Sequence, residues 1–194
     1  MRNFYDKDTD IYWLEMEKGD NKGDFESLNN IINDWHSPEI RRYVVQDTPV
    51  ADFMTYYIDY VVGRKNNIVG CFCYYALDED SKPLGIVEVS TNLEYPERAY
   101  LEYLVVNPKM TGRGIGTRMI KSIVNNTNWF VKNDLVDHWE VSIDRTNKPS
   151  QKAFLKNKFF VCQRAKGQSS DYGFKLDRYY RVAPKKSISP EMDK

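Results

Sequence analysis

The sequence predicts one mixed α/β domain. Its central sheet is mostly antiparallel, contains one parallel pair of strands and is flanked by about four helices. Apolar segments separated by short turns follow one another between residues 68 and 106, as antiparallel strands do. A long amphipathic segment then joins the apolar segments 99–106 and 139–143, and such a strand–helix–strand unit requires parallel pairing. The length of 194 residues suits a single domain.

The N-terminal third is predicted to hold one strand and two helices. Residues 10–16 alternate loosely between apolar and polar side chains and are rich in aromatic residues, as strands are. Apolar side chains then recur at helical spacing over 25–35 and again over 53–61. Asp24 is placed to cap the first of these helices, and Gly63 to close the second.

The rest of the chain is predicted to alternate between strands and helices up to residue 182. Residues 183–194 are polar and charged, so we expect a frayed tail after a domain that spans 1–182. The predicted elements are strands over 68–77, 84–92 and 99–106, a long helix over 113–132, a strand over 139–143, a helix over 149–157, and strands over 159–164 and 172–182.

Charge and composition argue against several kinds of partner. Twenty-eight basic and 28 acidic residues give no net charge, so neither nucleic acid nor an anionic membrane is an expected partner. The longest nearly unbroken apolar segment, 68–77, is far shorter than the ~20 residues of a spanning helix. Three cysteines and no N-terminal apolar segment indicate reduced thiols in a cytoplasmic protein.

The cysteines and histidines show no metal-ligand spacing, so no metal site is expected. Cys71 and Cys73 share one face of a predicted strand and are interpreted as small apolar core residues.

A glycine-rich loop lies between the strand at 99–106 and the long helix. Alternate glycines let a ligand approach the backbone closely, and the free N–H groups at a helix start attract anions. A phosphate-bearing ligand is therefore expected. The P-loop lysine is absent, and Thr117 stands where the dinucleotide fingerprint requires glycine. The loop and helix start read Thr111-Gly112-Arg113-Gly114-Ile115-Gly116-Thr117.

This loop, together with the preceding Val105-Val106-Asn107-Pro108, resembles the acetyl-CoA-binding motif of the GNAT acetyltransferases. A second segment, 141–159, is similar to the family's next strand and helix, with matches at Asn147, Ser150, Lys156 and Phe159. The sequence departs from the family pattern at three positions, which are Thr111 in place of Arg or Gln, Phe154 in place of Tyr, and Lys158 in place of Gly.

The resemblance implies a GNAT-like fold in which the parallel strands splay apart and acetyl-CoA inserts its pantetheine arm between them. It also implies that the pyrophosphate lies on the glycine loop. The residues assigned to the cofactor in this way are Leu104, Val105, Val106, Thr111, Gly112, Arg113, Gly114, Ile115, Gly116, Thr117, Asn147 and Ser150.

The implied activity is transfer of acetyl from acetyl-CoA to a primary amine, either of a small molecule or of a protein. Because an alkyl ammonium must lose a proton before it attacks, a base is needed. Glu102 is the first candidate, on the expectation that it shares a strand face with Tyr100 and Leu104, and Glu88 is the second. Phe154 cannot donate a proton to the leaving thiolate, so water, Ser150, Tyr103 or no acid at all serves there.

Two further expectations concern the acceptor. The first two helices of the family wall the acceptor site, so the resemblance assigns substrate binding to Trp35, Tyr56 and Tyr57. The alternative to an enzyme is a non-catalytic acyl-CoA-binding sensor or interaction module with the same fold. Because members of the family are often monomers or dimers, the resemblance implies a monomer or a homodimer.

Overall fold

A computed structural model of the protein describes residues 3–16, 30–31, 35, 69–92, 94–163 and 176–184. Apart from residues 30–31 and 35, the two helices predicted over 25–35 and 53–61 lie outside these residues, as does nearly all of the predicted tail. Within the described ranges, no helix has both the length and the apolar composition needed to cross a membrane.

The described strands form one sheet in the order β1-β2-β3-β4-β5-β6-β8-β7. Neighbouring strands pair antiparallel except β5 and β6, which pair parallel, so the predicted mixed sheet is confirmed. The strands are β1 (Asn3–Asp6), β2 (Ile11–Glu15), β3 (Val69–Leu77), β4 (Pro83–Asn92), β5 (Tyr95–Val106), β6 (His138–Asp144), β7 (Phe160–Gln163) and β8 (Leu176–Val182).

The described residues of the C-terminal half include three α-helices. They are α1 (Ile115–Asn125), α2 (Thr127–Val131) and α3 (Lys148–Lys156), and a 3₁₀ turn over Pro108–Met110 precedes α1. The sequence predicts one helix over 113–132, but Asn126 leaves the helical conformation (φ −117°, ψ 37°) and divides it. Its side-chain amide donates to the carbonyl of Ser122 at 2.9 Å, which satisfies one end of α1.

The strand β1 was not predicted. It forms a hairpin with β2 through residues 7–10, in which the Asp6 carboxylate accepts hydrogen bonds from the Thr9 hydroxyl (2.9 Å) and the Asp8 amide (3.0 Å). Asp10 completes the turn with a φ of +53°, which aspartate tolerates better than most residues. A turn stabilised by short-range polar contacts leaves little hydrophobic periodicity for sequence analysis to detect.

One face of the sheet, here called the helix face, packs against α1 and α2. Val87, Val89 and Leu101 belong to the buried cluster that includes both helices. Two buried tryptophans find partners on these helices: Trp13 donates to Ser122 Oγ and Trp139 to Thr127 Oγ1, each at 2.9 Å. Strand alternation places Cys71, Cys73, Glu88, Ser90 and Tyr103 on the opposite face, here called the far face.

The parallel pair is short. β5 and β6 are joined only at the pairs Arg98–His138, Ala99–Trp139 and Tyr100–Glu140. Beyond Tyr100, β5 stays bonded to β4 as far as Val106, and β6 stays bonded to β8 as far as Asp144. The two central strands therefore diverge toward their carboxyl ends, and the splayed pair that the resemblance implies is present.

Gly85 on β4 lies where no side chain fits. A Cβ atom there would lie 2.6 Å from the carbonyl oxygen of Val105 and 2.8 Å from Met119 Sδ. Gly85→Ala is expected to lower the free energy of unfolding by about 1–3 kcal/mol, because overpacking must move the backbone of β5. Urea unfolding followed by circular dichroism measures this.

Gly70→Ala is the matched control for that experiment. Its Cβ would meet side-chain atoms, Thr91 Oγ1 at 2.9 Å and the Phe72 ring at 3.2 Å, which are able to rotate away. A loss from Gly85→Ala no larger than that from Gly70→Ala would contradict the proposed backbone clash.

Candidate functional site

The chain between β5 and α1 is fixed by its own hydrogen bonds. Asn107 is buried; its side-chain amide donates to the carbonyl of Pro83 and its side-chain oxygen accepts from the amide of Lys109, both at 3.0 Å. The hydroxyl of Thr111 donates to the carbonyl of Pro108. Thr111, which departs from the family pattern, therefore supports the loop through a hydrogen bond from its side chain to a backbone carbonyl.

The start of α1 offers unpaired amides to a ligand. The first bond of the helix runs from the amide of Arg118 to the carbonyl of Gly114 at 3.0 Å, so the amides of residues 115–117 have no acceptor within the helix. Gly112 and Gly114 adopt φ of +82° and +78°, and no atom of the described residues lies within 4 Å of a Cβ atom built at either position. The loop thus turns sharply and leaves open space beside these amides, as an anion site requires.

A groove of about 640 Å³ runs between this loop and α3. Of the twelve residues predicted to bind the cofactor, eleven line it; the exception is Arg113, which is exposed and lies outside the groove. The eleven are Leu104, Val105, Val106, Thr111, Gly112, Gly114, Ile115, Gly116, Thr117, Asn147 and Ser150.

The α3 wall of the groove begins with a capped helix. The Asn147 side chain accepts a hydrogen bond from the amide of Ser150 at 3.1 Å, with proline at the second helical position. Asn147 therefore has a capping role that the resemblance did not indicate. Phe154 lies one turn after Ser150. Its buried ring packs edge-on against the ring of Phe159, with the two centroids 5.0 Å apart.

A second cavity of about 210 Å³ lies at the divergence of β5 and β6. Four of its lining residues also line the groove, namely Leu104, Asn147, Ser150 and Phe154. The groove and this cavity, here called the split cavity, are therefore adjoining parts of one site. Glu88 and Glu102 both line the split cavity, so the structure brings together the two carboxylates that the sequence singled out.

The expectation that Glu102 shares one strand face with both Tyr100 and Leu104 is wrong. Glu88 pairs with Tyr103 while Val89 pairs with Leu101, so Glu102 is an extra residue in β5 and forms a bulge. Tyr100 pairs with Ser90 on the far face, whereas Leu104 packs with the helix-face core. The bulge breaks the alternation, and the Glu102 carboxylate accepts a hydrogen bond from the Ser90 hydroxyl at 2.6 Å.

Glu88 lies in a more enclosed position than Glu102. It is half-buried, and its Oε1 atom accepts a hydrogen bond from the Cys71 thiol at 2.9 Å. Burial, followed by the negative charge of Glu88, raises the pKa of Tyr103 well above its usual value, so this phenol stays neutral. Cys71 and Cys73 are buried as expected, but Cys71 also has a polar partner.

Of the residues predicted to bind the substrate, Tyr56 and Tyr57 lie outside the described part of the chain. Trp35 is described and buried, and it lines neither the groove nor the split cavity.

A family model described as the acetyltransferase (GNAT) family matches residues 10–159, about three quarters of the chain. The chain belongs to the GNAT acetyltransferase family. Its acyl donor is acetyl-CoA, which the family uses. No curated protein sequence matches the chain.

Solved structures of the same fold include three acetyltransferases. Spermidine N-acetyltransferase from Vibrio cholerae, with CoA and spermine, is 13% identical, has a TM-score of 0.64 and is matched over 91% of this chain and 98% of that chain. The Salmonella typhimurium enzyme that modifies the N-terminal serine of ribosomal protein L7/L12 is 9% identical (TM-score 0.68; 91% and 96% covered). Aminoglycoside acetyltransferase AAC(6')-Ib with coenzyme A is 14% identical (TM-score 0.65; 89% and 94% covered).

The groove fits the chemistry of the acyl donor. Amides of the helix start suit a pyrophosphate, and Lys152 and Lys156 on α3 add positive charge along the same wall. Sequence reasoning missed Lys152 and named Lys156 only as a match to the family pattern, although their i, i+4 spacing on a predicted helix places them on one face. The apolar side of the groove includes Met110 and Ala153, which sequence reasoning also missed.

Gly114→Glu is expected to abolish acetyl-CoA binding. It places a side chain and a negative charge beside the backbone amides expected to bind the pyrophosphate, and it strains a positive φ. Isothermal titration calorimetry of acetyl-CoA into each protein measures this. Gly114→Asn is the control, since asparagine tolerates the left-handed conformation and adds no charge. Equal loss in both variants would attribute the effect to backbone conformation and not to the blocked anion site.

Proposed function

We propose that this acetyltransferase transfers acetyl from acetyl-CoA to a primary amine by direct attack, with the amine held in the split cavity. The observation that carries the proposal is that this cavity joins the acetyl-CoA groove and is lined by two carboxylates, Glu88 and Glu102. A cationic acceptor matches this charge. The solved structures with spermine and the aminoglycoside enzyme support an amine of this kind.

In the proposed reaction, the ammonium of the acceptor first loses a proton to a carboxylate. The freed nitrogen lone pair attacks the thioester carbonyl carbon, a C–N bond forms, and the C–S bond breaks to release the thiolate of CoA. The attacking nitrogen passes its second proton to water or to the Ser150 hydroxyl, which gives a proton to the thiolate, and the carboxylate then returns the first proton to solvent. Because Phe154 has no proton to give, water or the Ser150 hydroxyl supplies the proton that the thiolate gains.

The surroundings of the two carboxylates suit different roles, which reverses the order of preference that the sequence indicated. Glu102 is exposed and hydrogen-bonded to Ser90, so it is well solvated and suits ion pairing with the incoming ammonium. Glu88 is half-buried beside a thiol and a phenol. Because the carboxylic acid formed by proton uptake needs little solvation, we assign Glu88 as the base.

The other expectations for this protein remain proposals. We propose a cytoplasmic protein that acts as a monomer or homodimer and does not bind nucleic acid. The absence of net charge supports the last of these.

Glu88→Gln is expected to lower kcat by about 100-fold or more, because general-base catalysis contributes at least that factor. Glu102→Gln is expected to raise the KM for the amine with a smaller change in kcat, because it removes ion pairing with the ammonium. Release of the CoA thiol is measured with a panel of spermidine, an aminoglycoside, a free amino acid and a peptide with a free N-terminus.

Acetyl-CoA affinity, measured by calorimetry, is the control and is expected to be unchanged in both variants. A large fall in kcat for Glu102→Gln alone would reverse the two roles. Saturable acetyl-CoA binding with no turnover of any amine would instead favour the non-catalytic acyl-CoA-binding module.

A further inference from the structure

A thiol is hydrogen-bonded to the assigned base. Cys71 Sγ on β3 lies 2.9 Å from Glu88 Oε1 on β4, and Cys73 is the direct strand partner of Glu88. Both cysteines are buried, with exposures of 4% and 0%. This contact joins two strands on the far face, and Glu88 itself lines the split cavity.

The thiol is the donor in this contact. A hydrogen bond with Cys73, burial and the negative charge of Glu88 all raise the pKa of Cys71, so its proton is retained at neutral pH. A carboxylate has only acceptor atoms when ionised, so Cys71 donates and Glu88 accepts.

We propose that Cys71 is a positioning residue that fixes the orientation of the Glu88 carboxylate at the edge of the split cavity, a role that rests on the proposed function of Glu88 as the base. A long glutamate side chain has several rotamers, and a buried donor on the neighbouring strand reduces them to the one that the contact requires. A thiol is a weak donor compared with a hydroxyl. It therefore orients the carboxylate while competing little for the lone pair that accepts the substrate proton.

The titratable groups around Glu88 in the described part of the chain come from three strands. Cys71 and Cys73 face it from β3, Tyr103 and Glu102 from β5, and Asp144 lies on the β6 wall of the split cavity. Because the Cys71 thiol keeps its proton, changing Cys71 to serine or alanine alters the local hydrogen bonding without altering the charge.

The test is the pH dependence of kcat/KM for Cys71→Ser and Cys71→Ala, with the most active amine of the panel. Activity requires ionised Glu88 and falls as the pH falls. The stronger hydroxyl donor favours the carboxylate and should move the midpoint of this fall to lower pH by about half a unit. Removal of the donor should move it to higher pH by a similar amount and lower kcat several-fold.

Ser122→Ala is the control for a purely structural effect. It also removes one heavy atom and one buried hydrogen bond, here from Trp13, on a helix that carries no carboxylate of the site. It should lower the melting temperature without moving the pH midpoint. Midpoints of both Cys71 variants that coincide with the wild type would overturn the positioning role, even if their melting temperatures fall.

A second measurement needs no acceptor amine. The infrared S–H stretching band of Cys71 is isolated as the difference between the wild type and Cys71→Ala. A hydrogen bond to a carboxylate lowers its frequency, so Glu88→Gln should raise it, as should protonation of Glu88 at low pH. A band that Glu88→Gln leaves unmoved would overturn the contact itself.

The two measurements separate the two possible failures. A responsive band without turnover of any amine would refute the proposed function and, with it, a role for Cys71 in catalysis. Turnover with an unresponsive band or unmoved midpoints would leave the proposed function standing and refute the role of Cys71 alone.

Discussion

β5 and β6 are bonded to each other over three residue pairs, and the site takes its shape from the point where this pairing stops. Glu140, in the last pair, is buried and lies 3.7 Å from Arg98 of β5 and 3.8 Å from Arg178 of β8. A buried carboxylate with cationic neighbours on two strands resists separation of those strands, because removal of a partner leaves an uncompensated charge. Past this point each strand follows its outer neighbour, and the split cavity lies between them.

The same rigidity extends to the groove. Asn157, at the end of α3, donates to the carbonyl of Thr117 in the first turn of α1 at 3.0 Å, and its own carbonyl accepts from Arg181 of β8 at 2.7 Å. These contacts fix the distance between the two helices that form the walls. With the glycine loop held by Asn107 and Thr111, the groove that we propose for acetyl-CoA is built before a ligand arrives, which lowers the ordering cost of binding.

Most of the sheet, and most of the residues that line the groove, could be predicted from the sequence, because both leave local patterns. Alternating strands, a helix with one apolar face, and the spacing of Gly112, Gly114 and Gly116 are read from a few consecutive residues. The bulge at Glu102 could not be predicted, since it depends on the register between β4 and β5. The Cys71–Glu88 contact could not be predicted for the same reason, because residues 17 positions apart in the sequence meet only when the two strands are aligned.

The divergence of β5 and β6 also bears on how this sheet avoids aggregation. An unpaired strand edge is a template for pairing with another protein chain, and proteins usually protect such edges by keeping them short or covering them. Here the outermost strands, β1 and β7, have four residues each. The longer run of unpaired backbone among the described strands lies inside the sheet, between two strands that are joined at one end, so the edge of another sheet cannot approach it from outside. The fold thus offers strand-pairing groups to a ligand while withholding them from other proteins.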